Sequence, residues 1–371
     1  LAERARILFT IPNFITAGSG QEMFNIIERL DKGDFEPYIA VKEKGGVLYD
    51  EAIKKGYPVI HAPFFEETFT PARKVLHIVR MASFFKQYRF ALWQSFNWSS
   101  DYTEAIIARL AGARFVYVKK NMNWGRKAWR VKSFFSNAIV ARNATMQSTI
   151  FSNSYQKKVC YIPGGVDIEK FEKAYSALRD KYNIPASATL ITCVAQLVRI
   201  KDQLILIKAI TSLSNVYLFL AGRPVDIGYT EELNSQIEQL GLTDRVIMPG
   251  AVKNIQALLS ASDLFVLPTS KLYGHEEGCP VALLEAMACK VPCISSDVAG
   301  SNDLVINGET GLTFTPGDVV GLRNCIQTFI DEPEVFKTMA QNAYKRVNKL
   351  YTLEIEAKAF ENLYKKLLGI S

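Results

Sequence analysis

Histidine is scarce in this chain, with three residues in 371. Chemistry that depends on a histidine base therefore has few candidates. The six cysteines (Cys160, Cys193, Cys279, Cys289, Cys293 and Cys325) lack metal-finger spacing. Cys289 and Cys293 form a C-x3-C pair, but no second pair completes a zinc site. Buried thiols in a reducing, cytoplasmic setting are the expectation. No window reaches the ~18 consecutive apolar residues of a membrane-spanning helix. The first six residues run straight into an apolar strand candidate, without the h-region or cleavage site of a signal peptide. Internal repeats and low-complexity tracts are missing as well.

What is present has the balance of a soluble globular enzyme, at 49% hydrophobic and 22% charged residues. The length exceeds one ordinary core and suits two. Charge divides unevenly: residues 1–180 hold 27 Lys and Arg against 17 Asp and Glu, while residues 181–371 hold 17 against 20. The halves are +10 and −3, so they face different partners or one simply has a basic surface.

Strand and helix signals alternate throughout, the pattern of parallel α/β architecture. Strands are predicted at 6–11, 37–41, 58–61, 90–94, 115–119, 138–141 and 159–162. A second series follows at 189–195, 216–221, 246–249, 264–267, 292–295 and 313–314. Helices are predicted at 21–30, 202–212, 230–239, 255–260, 281–288 and 319–330, and an amphipathic one over 351–371. Two strand-first, Rossmann-like units fit, joined near 171–186, where strand signals give way to polar residues.

The densest local signal is Glu277-Gly278-Cys279-Pro280-Val281-Ala282-Leu283-Leu284-Glu285-Ala286-Met287-Ala288. Pro280 suits a first helical turn, where its missing N–H costs nothing. Gly278 and Cys279 then offer amides at a helix N-terminus, an anion site. Glu277 and Glu285 bracket that start, and carboxylates accept well from paired hydroxyls. A ligand with a central diphosphate and hydroxyl-rich ends fits this arrangement, and a nucleotide sugar has that shape. On spacing alone, an amphipathic core helix with a surface Glu at each end fits equally.

Glu277-x7-Glu285 with Ala286-Met287-Ala288, followed by Pro292 and Ser295-Ser296-Asp297, resembles the signature of family-4 retaining glycosyltransferases of the GT-B fold. Val194-Ala195-Gln196-Leu197-Val198-Arg199-Ile200-Lys201 resembles that family's phosphate loop. Leu220-Ala221-Gly222-Arg223-Pro224, Val246-Ile247-Met248-Pro249-Gly250 and the run from Ala261 to Thr269 follow in the family's order. Ile162-Pro163-Gly164-Gly165-Val166-Asp167 is close to its Ile-Pro-Asn-Gly-Val-Asp. The likeness is specific across 158–315 and looser before.

The resemblance implies two facing Rossmann-like domains with parallel sheets and a cleft between them. Residues 1–180 would form the acceptor-side domain, with a C-terminal helix at 352–371 packing back on it, and residues 181–351 the nucleotide-sugar domain. It implies that Glu285 holds ribose hydroxyls, that Glu277 holds the donor sugar and that Lys201 lies against the diphosphate. The backbone of Gly278, Cys279, Pro280 and Val281 would cap that diphosphate. No cofactor or metal is implied, and no Asp-x-Asp motif is present to hold Mg²⁺. Positive charge and the helix dipole would then stabilise the leaving diphosphate.

Two departures stand out. Gln196 occupies a position where the family has Arg, so Arg199 either compensates or is a surface residue. Where many relatives place a His after the fifth strand, this chain has Asn121, which leaves a donor phosphate oxygen as proton acceptor. His61 is an acceptor-side candidate, His275 a loop residue near Glu277, and His77 a structural one. Gly18 and Gly20 form a short glycine loop after the first strand. In the family it approaches the donor phosphates and shapes the acceptor site; by itself it closes a tight α/β turn.

Two stretches carry the excess charge. Residues 73–90 hold Arg73, Lys74, Arg80, Lys86 and Arg89 beside Phe84, Phe85 and Phe90, with no acid. Residues 119–132 hold Lys119, Lys120, Arg126, Lys127, Arg130 and Lys132 beside Trp124 and Trp129, again with none. They fit solvated helix faces, or peripheral docking on an anionic membrane. No nucleic-acid motif accompanies them. The expectation is a retaining glycosyltransferase of surface polysaccharide synthesis, taking a nucleotide-sugar donor to a glycan or lipid-linked acceptor at the inner membrane face. A nucleotide-sugar epimerase of the same fold, or a non-catalytic nucleotide- or glycan-binding relative, are the alternatives.

Overall fold

Short runs of Val, Ile, Leu and Phe, buried on both faces, become parallel strands because only helices on each side can cover them. The computed structural model describes residues 4–15, 17–66, 70–120, 122, 127–150, 155–172, 175–274 and 276–370. It divides into two compact units, Leu1–Pro163 with Leu353–Ser371, and Gly164–Thr352.

The first unit holds β1 (Ala5–Ile11), β2 (Phe35–Val41), β3 (Val59–His61), β4 (Leu92–Ser95), β5 (Arg114–Lys119), β6 (Ala138–Ala141) and β7 (Val159–Tyr161). They form one parallel sheet in the order β3-β2-β1-β4-β5-β6-β7. Alternation along β1 sends Ile7, Phe9 and Ile11 into one core and Leu8 into the other. The helices Ala17–Arg29 and Leu353–Leu368 cover the first face. The helices Pro71–Lys86, Thr103–Leu110 and Lys127–Phe135 cover the second.

The C-terminal helix is tied firmly to this unit. Phe360 and Tyr364 are fully buried, each contributing roughly 2–3 kcal/mol of apolar burial. Tyr364 meets Phe9 and Phe35 edge-on and donates to Gln94 Oε1 at 3.1 Å. Glu356 pairs with the buried Arg142 at 2.7 Å, and Arg142 also meets Glu22 at 3.1 Å.

The second unit holds β8 (Thr189–Val194), β9 (Val216–Ala221), β10 (Val246–Gly250), β11 (Leu264–Leu267), β12 (Cys293–Ser296) and β13 (Leu312–Phe314). Their order is β10-β9-β8-β11-β12-β13, again all parallel. From β8 the chain builds outward one way and then, from β11, the other. The reversal leaves a topological switch point between β8 and β11, where open α/β sheets bind ligands beyond the strand ends.

The unit boundary differs from the expected position near residue 180. The helix Leu178–Lys181 belongs to the second unit because Arg179 reaches back across it. Its guanidinium bonds the carbonyls of Ala188 and Ala261 and the Asp263 carboxylate at 2.9, 3.1 and 2.5 Å.

Candidate active site

Three loops meet beyond the carboxyl ends of β8, β11 and β12. After β8 the chain makes a tight turn, Arg199–Lys201. The Ser270 amide, in the loop after β11, donates to the Ile200 carbonyl in that turn at 2.9 Å. Lys201 is thereby brought to Glu277, and its ammonium binds Glu277 Oε1. The same oxygen accepts from Thr269 Oγ1 at 2.5 Å. Thr269 is fully buried, and its carbonyl accepts from Ser296 Oγ, at the end of β12, at 2.6 Å. A cation and a carboxylate are thus fixed across the switch point, with a buried hydroxyl setting the carboxylate's orientation.

Two glycines let the backbones close. A Cβ on Gly300, whose φ is +80°, would sit 2.6 Å from the carbonyl oxygens of both Glu277 and Gly278. One on Gly222 would sit 1.7 Å from the Ala195 carbonyl oxygen. Larger side chains at either place would push apart the loops that carry the site.

The helix Val281–Ala288 starts where the sequence predicts it, with Pro280 as its cap and no side chain capping it. Leu283 and Leu284 donate to the Pro280 carbonyl, while the Val281 and Ala282 amides meet no acceptor among the described residues. Cys279 holds the entering chain by accepting from the Gly164 amide at 3.3 Å. The carboxylate of Glu285, half-buried along this helix, makes no hydrogen bond or ion pair among the described residues. Burial raises its carboxyl to about 7, against the longer-range pull of Lys170. Such a group is an acceptor waiting for donors.

Other expectations meet a different outcome. Arg199 does not replace the missing arginine at 196. Its guanidinium pairs with Glu232 at 2.6 Å and lies over the Tyr229 ring at 5.4 Å, both on the helix Ile227–Gln239. Gln196 is exposed, and its carbonyl accepts from Gln203 at 2.9 Å. In the first unit Gly18 and Gly20 lie in the first turn of the helix Ala17–Arg29, at the β1–β4 switch point. Gly20 packs under the Phe14 ring, while Gly18 has open space around it. His61 is exposed at the end of β3, its Nε2 2.8 Å from the Lys42 carbonyl oxygen. His77 is half-buried, and burial lowers its pKa. Asn121 and His275 lie outside the described residues.

The stretch 119–132 is not a continuous basic surface. Lys119 and Lys132 are fully buried, with both ammonium groups over the Trp129 ring at 4.0 and 5.4 Å. Burial, with Lys132 adding like-charge repulsion, brings Lys119 down to about 7. Lys120 pairs with Glu22 at 3.0 Å. Lys127 and Arg130 remain exposed.

A family model described as "Glycosyl transferases group 1" matches residues 175–346, the span that carries Lys201, Thr269, Glu277, Glu285 and Gly300. Over that span the chain resembles the group 1 glycosyl transferases. Among curated glycosyl transferases it resembles a lipopolysaccharide core biosynthesis mannosyltransferase, LpcC, of Rhizobium leguminosarum bv. viciae. The two are 29% identical over 38% of this chain and 39% of that one. It also resembles the UDP-Gal:alpha-D-GlcNAc-diphosphoundecaprenol alpha-1,3-galactosyltransferase of Escherichia coli, 28% identical over 56% and 54% of the two chains. These matches span well under two thirds of the relatives' own lengths. Among solved structures, Anabaena Alr3699/HepE in complex with UDP and glucose superposes over 98% of this chain and 100% of that one. Its TM-score is 0.84 and its identity 20%. The fold of this chain, two Rossmann-like units, is the GT-B fold expected from the motifs.

Proposed function

We propose that the chain is a retaining, metal-independent glycosyltransferase. It would move a sugar from a nucleotide-sugar donor to a glycan or lipid-linked acceptor in surface polysaccharide synthesis. The observation that carries this reading is the Lys201–Glu277 pair at the switch point, beside the open amides of Val281 and Ala282. A donor diphosphate takes the amides and the Lys201 ammonium. The sugar hydroxyls take Glu277, and the ribose hydroxyls take Glu285. The acceptor hydroxyl forms its bond to the anomeric carbon on the face that the diphosphate leaves. The carbon–oxygen bond to phosphate breaks, and the hydroxyl proton passes to the departing phosphate oxygen. Charge growing on that oxygen meets Lys201 and the helix start, groups already in place before reaction.

The HepE structure, with UDP and glucose bound, supports a nucleotide-sugar donor. The two relatives named for a lipopolysaccharide core and for a diphosphoundecaprenol support a lipid-linked acceptor, and with it peripheral contact at an inner membrane face. UDP-, GDP- and ADP-sugars are screened by thermal shift. The cognate donor at 100 times its Kd adds about 2.7 kcal/mol of stability. Glu277→Ala is expected to bind nucleotide and lose acceptor-dependent release by at least about a hundredfold. Full transfer by this variant, or no stabilisation by any donor, overturns the reading. A donor converted without acceptor points to an epimerase instead.

A further inference from the structure

From 70 to 136 the sequence contains thirteen Lys and Arg and two carboxylates, Asp101 and Glu104. Both carboxylates are buried, Glu104 among Thr10, Trp93 and Ser95, and Asp101 against Lys74 at 3.3 Å. The segment forms the three helices that cover one face of the first sheet. The helix Pro71–Lys86 packs on Thr103–Leu110, which packs on Lys127–Phe135. Their inner sides share one core, with Ile78, Met81 and Phe85 pointing inward from the first. Their outer sides therefore look the same way.

On the first helix Val75, Leu76 and Val79 are 63%, 71% and 57% exposed, on the side away from that core. On its neighbours Leu110 and Phe134 are 55% and 66% exposed. Arg73, Arg80, Lys86, Arg109, Lys127 and Arg130 are exposed on the same three helices, and no exposed carboxylate interrupts them. A solvated face has no use for five large apolar side chains in the open, and a nucleic-acid face would place polar groups between its cations. Cations around apolar side chains on helices lying side by side match a lipid surface: the chains enter the acyl boundary while the charges meet anionic headgroups.

We propose that the outer face of these three helices docks the chain on an anionic bilayer. This deepens the membrane element of the proposed function and rests on it for its purpose, yet docking is read without donor or acceptor. The full chain is sedimented with phosphatidylcholine vesicles, with and without about 30% phosphatidylglycerol. It is expected to partition onto the anionic vesicles only. Each cation near such a surface changes binding by roughly fivefold, so Arg80→Glu with Lys86→Glu lowers it by well over tenfold. Leu76→Ser with Val79→Ser weakens it too, which a purely electrostatic contact would not show. Lys345→Glu with Lys349→Glu, exposed in the second unit, leaves it unchanged. Circular dichroism confirms that each variant is folded, and nucleotide-induced thermal shift, unchanged in all, keeps this test separate from that of the donor site. Equal binding to neutral vesicles, unaltered binding by the charge-reversed variant, or displacement of vesicles by duplex DNA at equal charge overturns the proposal.

Discussion

The two units share one sheet architecture but carry their charges in opposite ways. In the second, one ion pair is fixed at the strand ends: Lys201 and Glu277 neutralise each other across the switch point, and Thr269 holds them there. In the first, cations are spread over helix faces, and the carboxylates of the same segment are buried. A site that handles a diphosphate needs a few groups in fixed positions, so it constrains residue identity and spacing. A face that meets headgroups needs only a sign of charge and some apolar area, so it leaves no motif.

The sharpest way to break that comparison is to remove one cation from each unit. In the proposed reaction Lys201→Ala deletes the charge beside the leaving diphosphate, and it leaves the buried Glu277 without this ion pair. The kcat for transfer to a soluble acceptor is expected to fall by roughly two to three decades. Arg80→Ala, measured with the same soluble acceptor, is expected to leave kcat alone. Similar losses in both would mean that the first unit's cations also take part in the chemistry.

The fixed kind of charge was also the more legible. The helix Val281–Ala288 has the predicted bounds because Pro280 marks its start and the apolar residues follow a helical period. The strands β6, β9 and β11 coincide with their predicted limits because buried β-formers end abruptly at polar or turn residues. Thr269 was missed: it reads as an ordinary strand end, and its partner lies eight residues on. Gly300 was missed because its need for no Cβ arises only where the loop after β12 crosses the Glu277 backbone. The burial of Lys119 did have a signal. Alternation along Phe115-Val116-Tyr117-Val118-Lys119 places it on the inward face with Phe115 and Tyr117, but a reading by charge run overlooks strand period.

A smaller effect separates Glu285 from the paired carboxylate at 277. A carboxyl raised by burial binds more protons folded than unfolded. Its contribution to stability is therefore greatest below its ordinary value near 4.5 and is lost as pH rises through about 7. Glu285→Gln removes that penalty, so the free protein should be more stable than wild type at pH 8, by at most about 3 kcal/mol, and no more stable at pH 4. The same change should weaken nucleotide binding by roughly tenfold, because an amide oxygen accepts ribose hydroxyls less strongly than a carboxylate. Thermal melts across that range and nucleotide titrations at pH 8 read both effects. A variant that gains stability without losing affinity would leave Glu285 as a buried liability and move the ribose elsewhere.

The smallest expected effect tests whether the second unit's site charge is as fixed as described. Arg199 lies two residues from Lys201, close enough in sequence to stand in for the arginine that Gln196 replaces. In the folded chain it turns to Glu232 and the Tyr229 ring instead. To serve the diphosphate it would have to leave both, and exposed ion pairs of this kind contribute little to stability in either position. Arg199→Ala should therefore change kcat by less than about twofold, against the decades lost in Lys201→Ala. A tenfold loss would mean that the arginine changes partners when donor arrives. A single ammonium would then be too little for the leaving group, and Gln196→Arg should restore what Arg199→Ala removes.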